Sequence, residues 1–248
     1  MEKEKTIQCP ICNAVKLFTH VESTGDNDRV GCNSCGLIFY VAVPEKMPRY
    51  DVDYNSFFYR PTDIQKAGIM ACNIAKLHSL TQKKKRILEI GPGNGMASKL
   101  LAMAKFEIKM IERERETAEW LTAKTGIKCE HWPFELSNYK NEFDVIYAGH
   151  TIEHSPAPKV FMEKAFDALD EGGIFFLDTP DTQYQKKYGE MWKHLRTRQN
   201  FEHLFLFSQL SMRILAESVG FKVCNLSSDI EYQSLQAVLS KPYNLKKE

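Results

Sequence analysis

From Arg86 onward, short apolar runs alternate with longer stretches whose apolar residues recur at a helical spacing. The runs predict strands over Arg86–Ile90, Glu107–Glu112, Ile127–Glu130, Phe143–Ala148, Gly173–Asp178, Phe221–Leu226 and Tyr232–Leu239. The periodic stretches predict helices over Met96–Lys105, Arg115–Lys124, Lys159–Leu169 and Ser208–Val219. Gly220 stands where a C-terminal glycine cap belongs, and Gly172-Gly173 follows Leu169 after an acidic turn, as at a second helix end. Strands alternating with helices predict an α/β array with parallel pairing.

The first 85 residues have a different texture. Residues 1–48 hold two CxxC pairs and short strand-like runs, and end in the proline-marked "VPEKMPRY". Residues 49–85 are first aromatic, "RYDVDYNSFFYRP", then helical, with Ile64, Gly68, Ile69, Cys72, Ala75 and Leu77 on one apolar face. The organisation expected is a small domain over 1–48, a linker and helix (a possible lid) over 49–85, and a catalytic domain over 86–248. Tyr54, Phe57, Phe58 and Tyr59 suit either a lid over a ligand or glue between two domains.

Composition narrows the function classes. The chain has 248 residues, 43% of them apolar, enough for a real core. Its 33 basic and 32 acidic residues give a formal charge of +1, so no global field points to nucleic acid or membrane. There is no 18-residue apolar run and no apolar stretch like that of a signal peptide at the start, so a cytoplasmic protein without a membrane partner is expected. Seven cysteines, four of them in the CxxC pairs, fit a reducing compartment.

Cys9, Cys12, Cys32 and Cys35 form CxxC-x19-CxxC, a spacing for a four-thiolate structural Zn²⁺ site. Each pair puts two sulfurs on one tight turn, and the metal replaces a core that fewer than fifty residues cannot build. With four protein thiolates the site is closed to chemistry, so a zinc ribbon is expected. Five basic against six acidic residues in 1–48 speak against a phosphate-binding surface there.

The chemistry-bearing signal is "RILEIGPGNG". A strand, a turn with Gly91, Gly93 and Gly95, and a helix start make a nucleotide-binding device, because glycine lets the backbone approach a ligand and the helix end offers unpaired N–H groups. The spacing lacks the later glycine of the dinucleotide fingerprint, and no lysine and hydroxyl pair follows it as in a P-loop. Glu112 ends the next strand, where an acid accepts bonds from both ribose hydroxyls; the alternative is a solvated glutamate among charged neighbours. Glu89 inside "ILEIG" is expensive to bury unless a cationic group pairs with it.

With "FDVIYAGHTIEHSPAP", "ALDEGGIFFLDTP" and "FEHLFLFSQLSMRILAESVGFKV" in order behind it, "ILEIGPGNG" resembles the class I S-adenosylmethionine-dependent methyltransferases over roughly residues 86–240. The resemblance implies a Rossmann-like, seven-strand, mostly parallel sheet flanked by helices. It implies S-adenosylmethionine held by Glu89, Gly91, Gly93, Gly95 and Glu112. Residues after the third strand flank adenine in the family, which points to His131, Trp132, Pro133 and Phe134, although the usual acid there is missing; Trp132 suits adenine stacking or a core position equally. His150 ends the fourth strand beside the reactive methyl, as both cofactor and catalytic candidate. Glu153 and His154 match an "EH" pair that serves as base or metal ligand in some relatives, or merely caps and packs. His203 precedes the last helix, where the family often carries a histidine facing the substrate.

The expected substrate is a small polar metabolite, a sugar or nucleotide-sugar, so a small-molecule partner that is anionic or sugar-like. The basic, aromatic stretch around Lys186, Lys187, Lys193, Arg196 and Arg198 suits an anion, one face of an RNA site, or a solvated amphipathic helix. An RNA- or tRNA-modifying enzyme that docks through the ribbon is the alternative, and a non-catalytic assembly protein a third; the intact Glu89, Gly91, Gly93 and Glu112 argue against the last.

Overall fold

The computed structural model describes residues 7–15, 18–24, 27–42, 52–53, 65, 67–69, 71–74, 86–183, 203–229 and 233–243. Two sheets organise them. The larger has seven strands in the order β10-β11-β8-β7-β4-β5-β6. Its members are β4 (Arg86–Ile90), β5 (Glu107–Glu112), β6 (Cys129–His131), β7 (Phe143–Gly149), β8 (Leu169–Pro180), β10 (Lys222–Asp229) and β11 (Ser234–Ser240). β6, β5, β4, β7 and β8 pair in parallel, whereas β11 and β10 close the edge antiparallel. This is the expected mostly parallel α/β sheet.

The helices are α1 (Met96–Met103), α2 (Arg115–Thr125), α3 (Pro158–Ala168) and α4 (Gln209–Val219), each within two residues of its expected bounds. α4 shows why: the Ser208 hydroxyl accepts from Ser211 N–H at 3.0 Å, the Ser211 hydroxyl accepts from Ser208 N–H at 2.9 Å, and Gly220 closes the helix at φ 106°. One expected stop is different. α3 ends at Ala168 with Leu169 already extended, and Gly172-Gly173 lies inside β8, where the register against β7 shifts between Phe143 and Val145. The glycines mark an irregular strand start instead of a helix cap.

Strand alternation divides the core between the two faces of the sheet. Leu88 and Ile90 of β4, Ile146 and Ala148 of β7, and Phe175 and Leu177 of β8 pack with α3 and α4 residues such as Phe161, Met162, Met212 and Leu215. Phe161 and Phe175 are fully buried, each stabilising the fold by about 1.5–3 kcal/mol relative to exposure. On the other face Ile87, Val145, Tyr147 and Phe176 pack with Leu101 of α1 and with Ala71 and Ile74. Ala71 and Ile74 belong to the helical residues of the 49–85 segment; Ile69 and Cys72, expected on its apolar face, are exposed because the buried stripe runs through residues 71 and 74. Ile64, Ala75, Leu77 and the aromatic residues Tyr54, Phe57, Phe58 and Tyr59 lie outside the described residues.

The smaller sheet runs β1-β2-β3-β9. Antiparallel β1 (Phe18–Thr24), β2 (Asn27–Cys32) and β3 (Ile38–Tyr40) belong to the cysteine segment, whereas β9 (Phe205–Leu206) comes from the other end of the chain. Cys9, Leu37 and Phe39 share one continuous core with Leu204, Phe207 and the sheet face behind α4.

Candidate functional site

At the C-terminal ends of the parallel strands, where open α/β sheets bind ligands, lies a cavity of about 900 Å³. Glu89, Gly91, Gly93, Glu112, Trp132, Pro133, Phe134, His150, His154 and His203 line it. Gly95, expected beside the cofactor, does not: a Cβ there would meet Thr125 and Leu121 of α2 at 2.8 and 2.9 Å, so this glycine lets α1 start close against α2. The sequence-predicted cofactor and substrate ends therefore meet in one chamber.

Glu89 lies on the same sheet face as the apolar Tyr147 and Phe176, and is 4% exposed. Burial drives its carboxyl up to about 7, against a bond from the Ser98 hydroxyl that favours the charged form. A group held near neutrality by desolvation is ready to ionise when a cation arrives. Gly91 has φ 63°, and a Cβ placed on it would sit 2.7 Å from the Thr151 hydroxyl, so a side chain would fill the space beside the turn. The Asn94 side chain accepts from Met96 N–H at 3.0 Å and so orders the start of α1.

Glu112, at the end of β5, is largely buried, and that burial raises its carboxyl above the usual range. The N–H groups of Arg113 and Glu114 donate to its Oε1 at 2.7 and 3.1 Å. Those bonds fix the carboxylate at the cavity wall. Trp132 is not a core residue: it is 60% exposed and stacks on His131 with ring centroids 5.9 Å apart. Phe134 is buried, edge-on to Phe161 at 4.9 Å. A buried carboxyl with no cation acting on it among the described residues, a glycine cradle and a strand-end acid fit an adenosyl ligand with a cationic amino acid tail.

The opposite end of the cavity is built around Glu153, which is fully buried. Burial opposes its ionisation, but His150, His154 and His203 outweigh that and hold the carboxyl at about 2. His150 Nδ1 is 3.3 Å from Glu153 Oε1, His154 Nε2 is 3.8 Å from it, and the Thr179 hydroxyl donates to Oε2 at 3.0 Å. His150 follows β7 with φ 50°, a left-handed conformation for a non-glycine residue, fixed by its N–H bond to the Asp178 carbonyl at 2.7 Å. The His154 and His203 rings lie 4.9 Å apart. Burial pushes His203 down to about 3, so its imidazole is neutral at pH 7, a weak base that offers a ring nitrogen as a hydrogen-bond acceptor. The structure thus brings all four histidine and glutamate candidates together.

Sequence reading missed several lining residues. Asp178, Asp229 and Gln236 extend the wall across β8, β10 and β11. Asp178, 5% exposed in the cavity wall, ends the apolar run "FFLD" much as Glu112 ends β5, a signal of the same kind. Lys186, Lys187, Lys193, Arg196 and Arg198 lie outside the described residues.

The second cluster is the cysteine set. Cys9 and Cys35 Sγ are 3.6 Å apart, as are Cys12 and Cys32, and all four sulfurs lie within 4.8 Å of one another. A tetrahedron of thiolates at about 2.3 Å from Zn²⁺ has edges of about 3.8 Å, so the set fits that ion. The hydrogen bond from Cys35 lowers Cys9 to about 5, and the same bond with burial pushes Cys35 far up: the thiols cannot all ionise together without a cation.

The strand order, the antiparallel last strand, and a cavity carrying a glycine turn and two strand-end acids define the fold of class I S-adenosylmethionine-dependent methyltransferases. A family described as a methyltransferase domain matches residues 64–226, well over half of the chain, and the chain belongs to that family. Ubiquinone biosynthesis O-methyltransferase of Psychrobacter arcticus is 24% identical over 123 residues, 46% of this chain and 48% of that protein. The chain spans about half the length of the curated relatives it matches. Among solved structures, the complex between the Haloferax volcanii Trm112 methyltransferase activator and a methyltransferase contains a chain 13% identical, with TM-score 0.58, matched over 76% of this chain and 97% of that one. The CurJ carbon methyltransferase is 16% identical, with TM-score 0.59, over 77% of this chain and 58% of that one. At such identities these likenesses speak for the fold alone. Among the described residues, no helix is long and apolar enough to cross a membrane.

Proposed function

We propose that the protein transfers the methyl group of S-adenosylmethionine to a hydroxyl of a small polar metabolite, a sugar or nucleotide-sugar. The observation that carries the reading is the single chamber joining Glu89, Gly91 and Glu112 to His150, His154 and His203, with Glu153 buried behind the histidines. Bound S-adenosylmethionine supplies an electrophilic methyl on a sulfonium. In this reading Glu89 ionises to pair with the cofactor's ammonium, and Glu112 accepts from the ribose hydroxyls. Gly91 and Gly93 let the backbone approach, and Trp132, Pro133 and Phe134 flank the adenine. The neutral His203 ring takes the proton that the acceptor oxygen loses as its bond to the methyl forms; at about 3 it is a weak base, but a stronger one than the oxonium it relieves. Glu153 orients His150 and His154 and balances charge there.

The wall favours a sugar over a polyanion. Glu89, Glu112, Glu135, Asp178 and Asp229 line it against Arg113 and the three histidines, so among the described residues it is a hydroxyl-binding surface. By composition alone, the basic Lys186–Arg198 stretch, outside the described residues, suits a diphosphate carried by such a sugar. The four cysteines hold a structural Zn²⁺ in a ribbon over 1–48.

The test is mass-spectrometric detection of S-adenosylhomocysteine and methylated product across panels of sugars, nucleotide-sugars and total tRNA. Turnover of a member of the first two supports the reading. Methylation confined to tRNA overturns it.

A further inference from the structure

The cysteine unit and the reaction end of the cavity share one short segment. β9 pairs with β3, Ile38 opposite Leu206 and Phe39 opposite Phe205, and this segment opens at His203. Three bonds fasten it to the cysteine unit. Arg29 Nη2 donates to the His203 carbonyl at 2.5 Å, Tyr40 N–H donates to the Leu204 carbonyl at 3.4 Å, and the Ser208 hydroxyl donates to the Cys35 carbonyl at 2.5 Å. On its other side, Leu204 N–H donates to the Glu153 carbonyl at 2.8 Å. The segment is thus held between a thiolate turn and the buried glutamate of the site.

Arg29 is the unusual member. It is 5% exposed on a small sheet, with its guanidinium 4.7 Å over the Tyr40 ring. Burying a guanidinium is expensive, so the bonds it makes are firmly held, and its fork aims at a fixed carbonyl. The groups facing His203 are Glu153, His154 and His150 from the turn after β7 and Arg29 from β2. Of these, only Arg29 belongs to the cysteine unit.

We propose that Arg29 is a positioning residue for His203, and that the zinc-loaded cysteine unit, through Arg29 and the β3–β9 pairing, sets the geometry of the acceptor end. The coupling is independent of substrate; only its effect on turnover rests on His203 as the proton acceptor.

The test uses full-length, zinc-loaded protein saturated with S-adenosylhomocysteine. His203 imidazole resonances are read by proton–nitrogen NMR and assigned with His203→Gln. Arg29→Met is expected to move the His203 resonances, leave the S-adenosylhomocysteine dissociation constant within about twofold, and lower kcat by about 10–100-fold, the scale of a misplaced group. Arg29→Lys, which keeps the charge, restores part of both. Chelating zinc from the wild type moves the same resonances and speeds amide exchange in 203–208 while 86–95 keeps its protection. Unmoved His203 signals and unchanged exchange after chelation overturn the proposal. If Arg29→Met loses S-adenosylhomocysteine binding as well, the variant has lost its fold and the chelation result alone decides. If the resonances move while kcat holds, the coupling stands and the proton-acceptor role of His203 falls.

Discussion

Gly91 faces Thr151 so closely that a Cβ at Gly91 would lie 2.7 Å from Thr151 Oγ1, while that hydroxyl donates to the Ile90 carbonyl at 3.1 Å. The turn after β4 is therefore held against the turn after β7, and the two halves of the cavity are fixed to each other. Gly91→Ala brings both a left-handed strain, about 1 kcal/mol or more, and this clash. It is expected to weaken S-adenosylhomocysteine binding by at least about tenfold in calorimetry, with a lowered melting temperature.

Glu89 gives a prediction with a definite sign. Its carboxyl rises from 4.5 unfolded to about 7 folded, so between those values the folded protein binds more protons. The Glu89 contribution to the ligand-free fold is then lost as pH rises from 4.5 through 7, by on the order of 1–3 kcal/mol. Glu89→Gln is expected to raise the ligand-free melting temperature at pH 8 and to weaken S-adenosylhomocysteine at least tenfold. In the wild type, affinity rises with pH through 7. Thermal scans and calorimetry at pH 6 and pH 8 check both.

His203 predicts the opposite slope. Its folded value of about 3 lies below the unfolded 6.5, so stability is fully present above pH 6.5 and is lost as pH falls. Glu153, depressed to about 2 from 4.5, loses its contribution only below 4.5. Between pH 6.5 and 5 the His203 loss runs against the gain from Glu89, whose carboxyl protonates over the same window. His203→Gln is expected to leave the Glu89 gain unopposed, so that the melting temperature rises as pH falls from 6.5 to 5 relative to the wild type, and an unchanged slope would contradict the burial of a neutral ring.

The sheet, its helices and the cofactor end were legible in the sequence because each rests on local signals: alternation, caps, a glycine turn, an acid at a strand end. The Ser208 cap and Gly220 closure need only neighbours in sequence. What escaped depends on distant pairing. Nothing near "FEHLFLFS" announces that Phe205 and Leu206 pair with Phe39 and Ile38, so the bond from Arg29 to His203 was invisible. Gly172-Gly173 misled because a glycine pair after a helix looks the same whether it caps the helix or opens an irregular strand. Trp132 was ambiguous by chemistry alone, and only its exposure beside the cavity removes the core reading.

The cysteine set predicts about one Zn²⁺ per chain by elemental analysis. Cys9→Ser is expected to abolish stoichiometric zinc, since a structural site of three thiolates loses affinity steeply. A chain purified with all four cysteines reduced and no zinc contradicts the assignment.

The most direct measurement is calorimetric titration of the zinc-loaded protein with S-adenosylhomocysteine, alongside Glu112→Ala. The account predicts one saturable site per chain, and a loss of about 100-fold or more in affinity for the variant with its melting temperature little changed, as two ribose bonds to a charged acceptor would give. Absence of binding to the wild type, or equal affinity in Glu112→Ala, contradicts it.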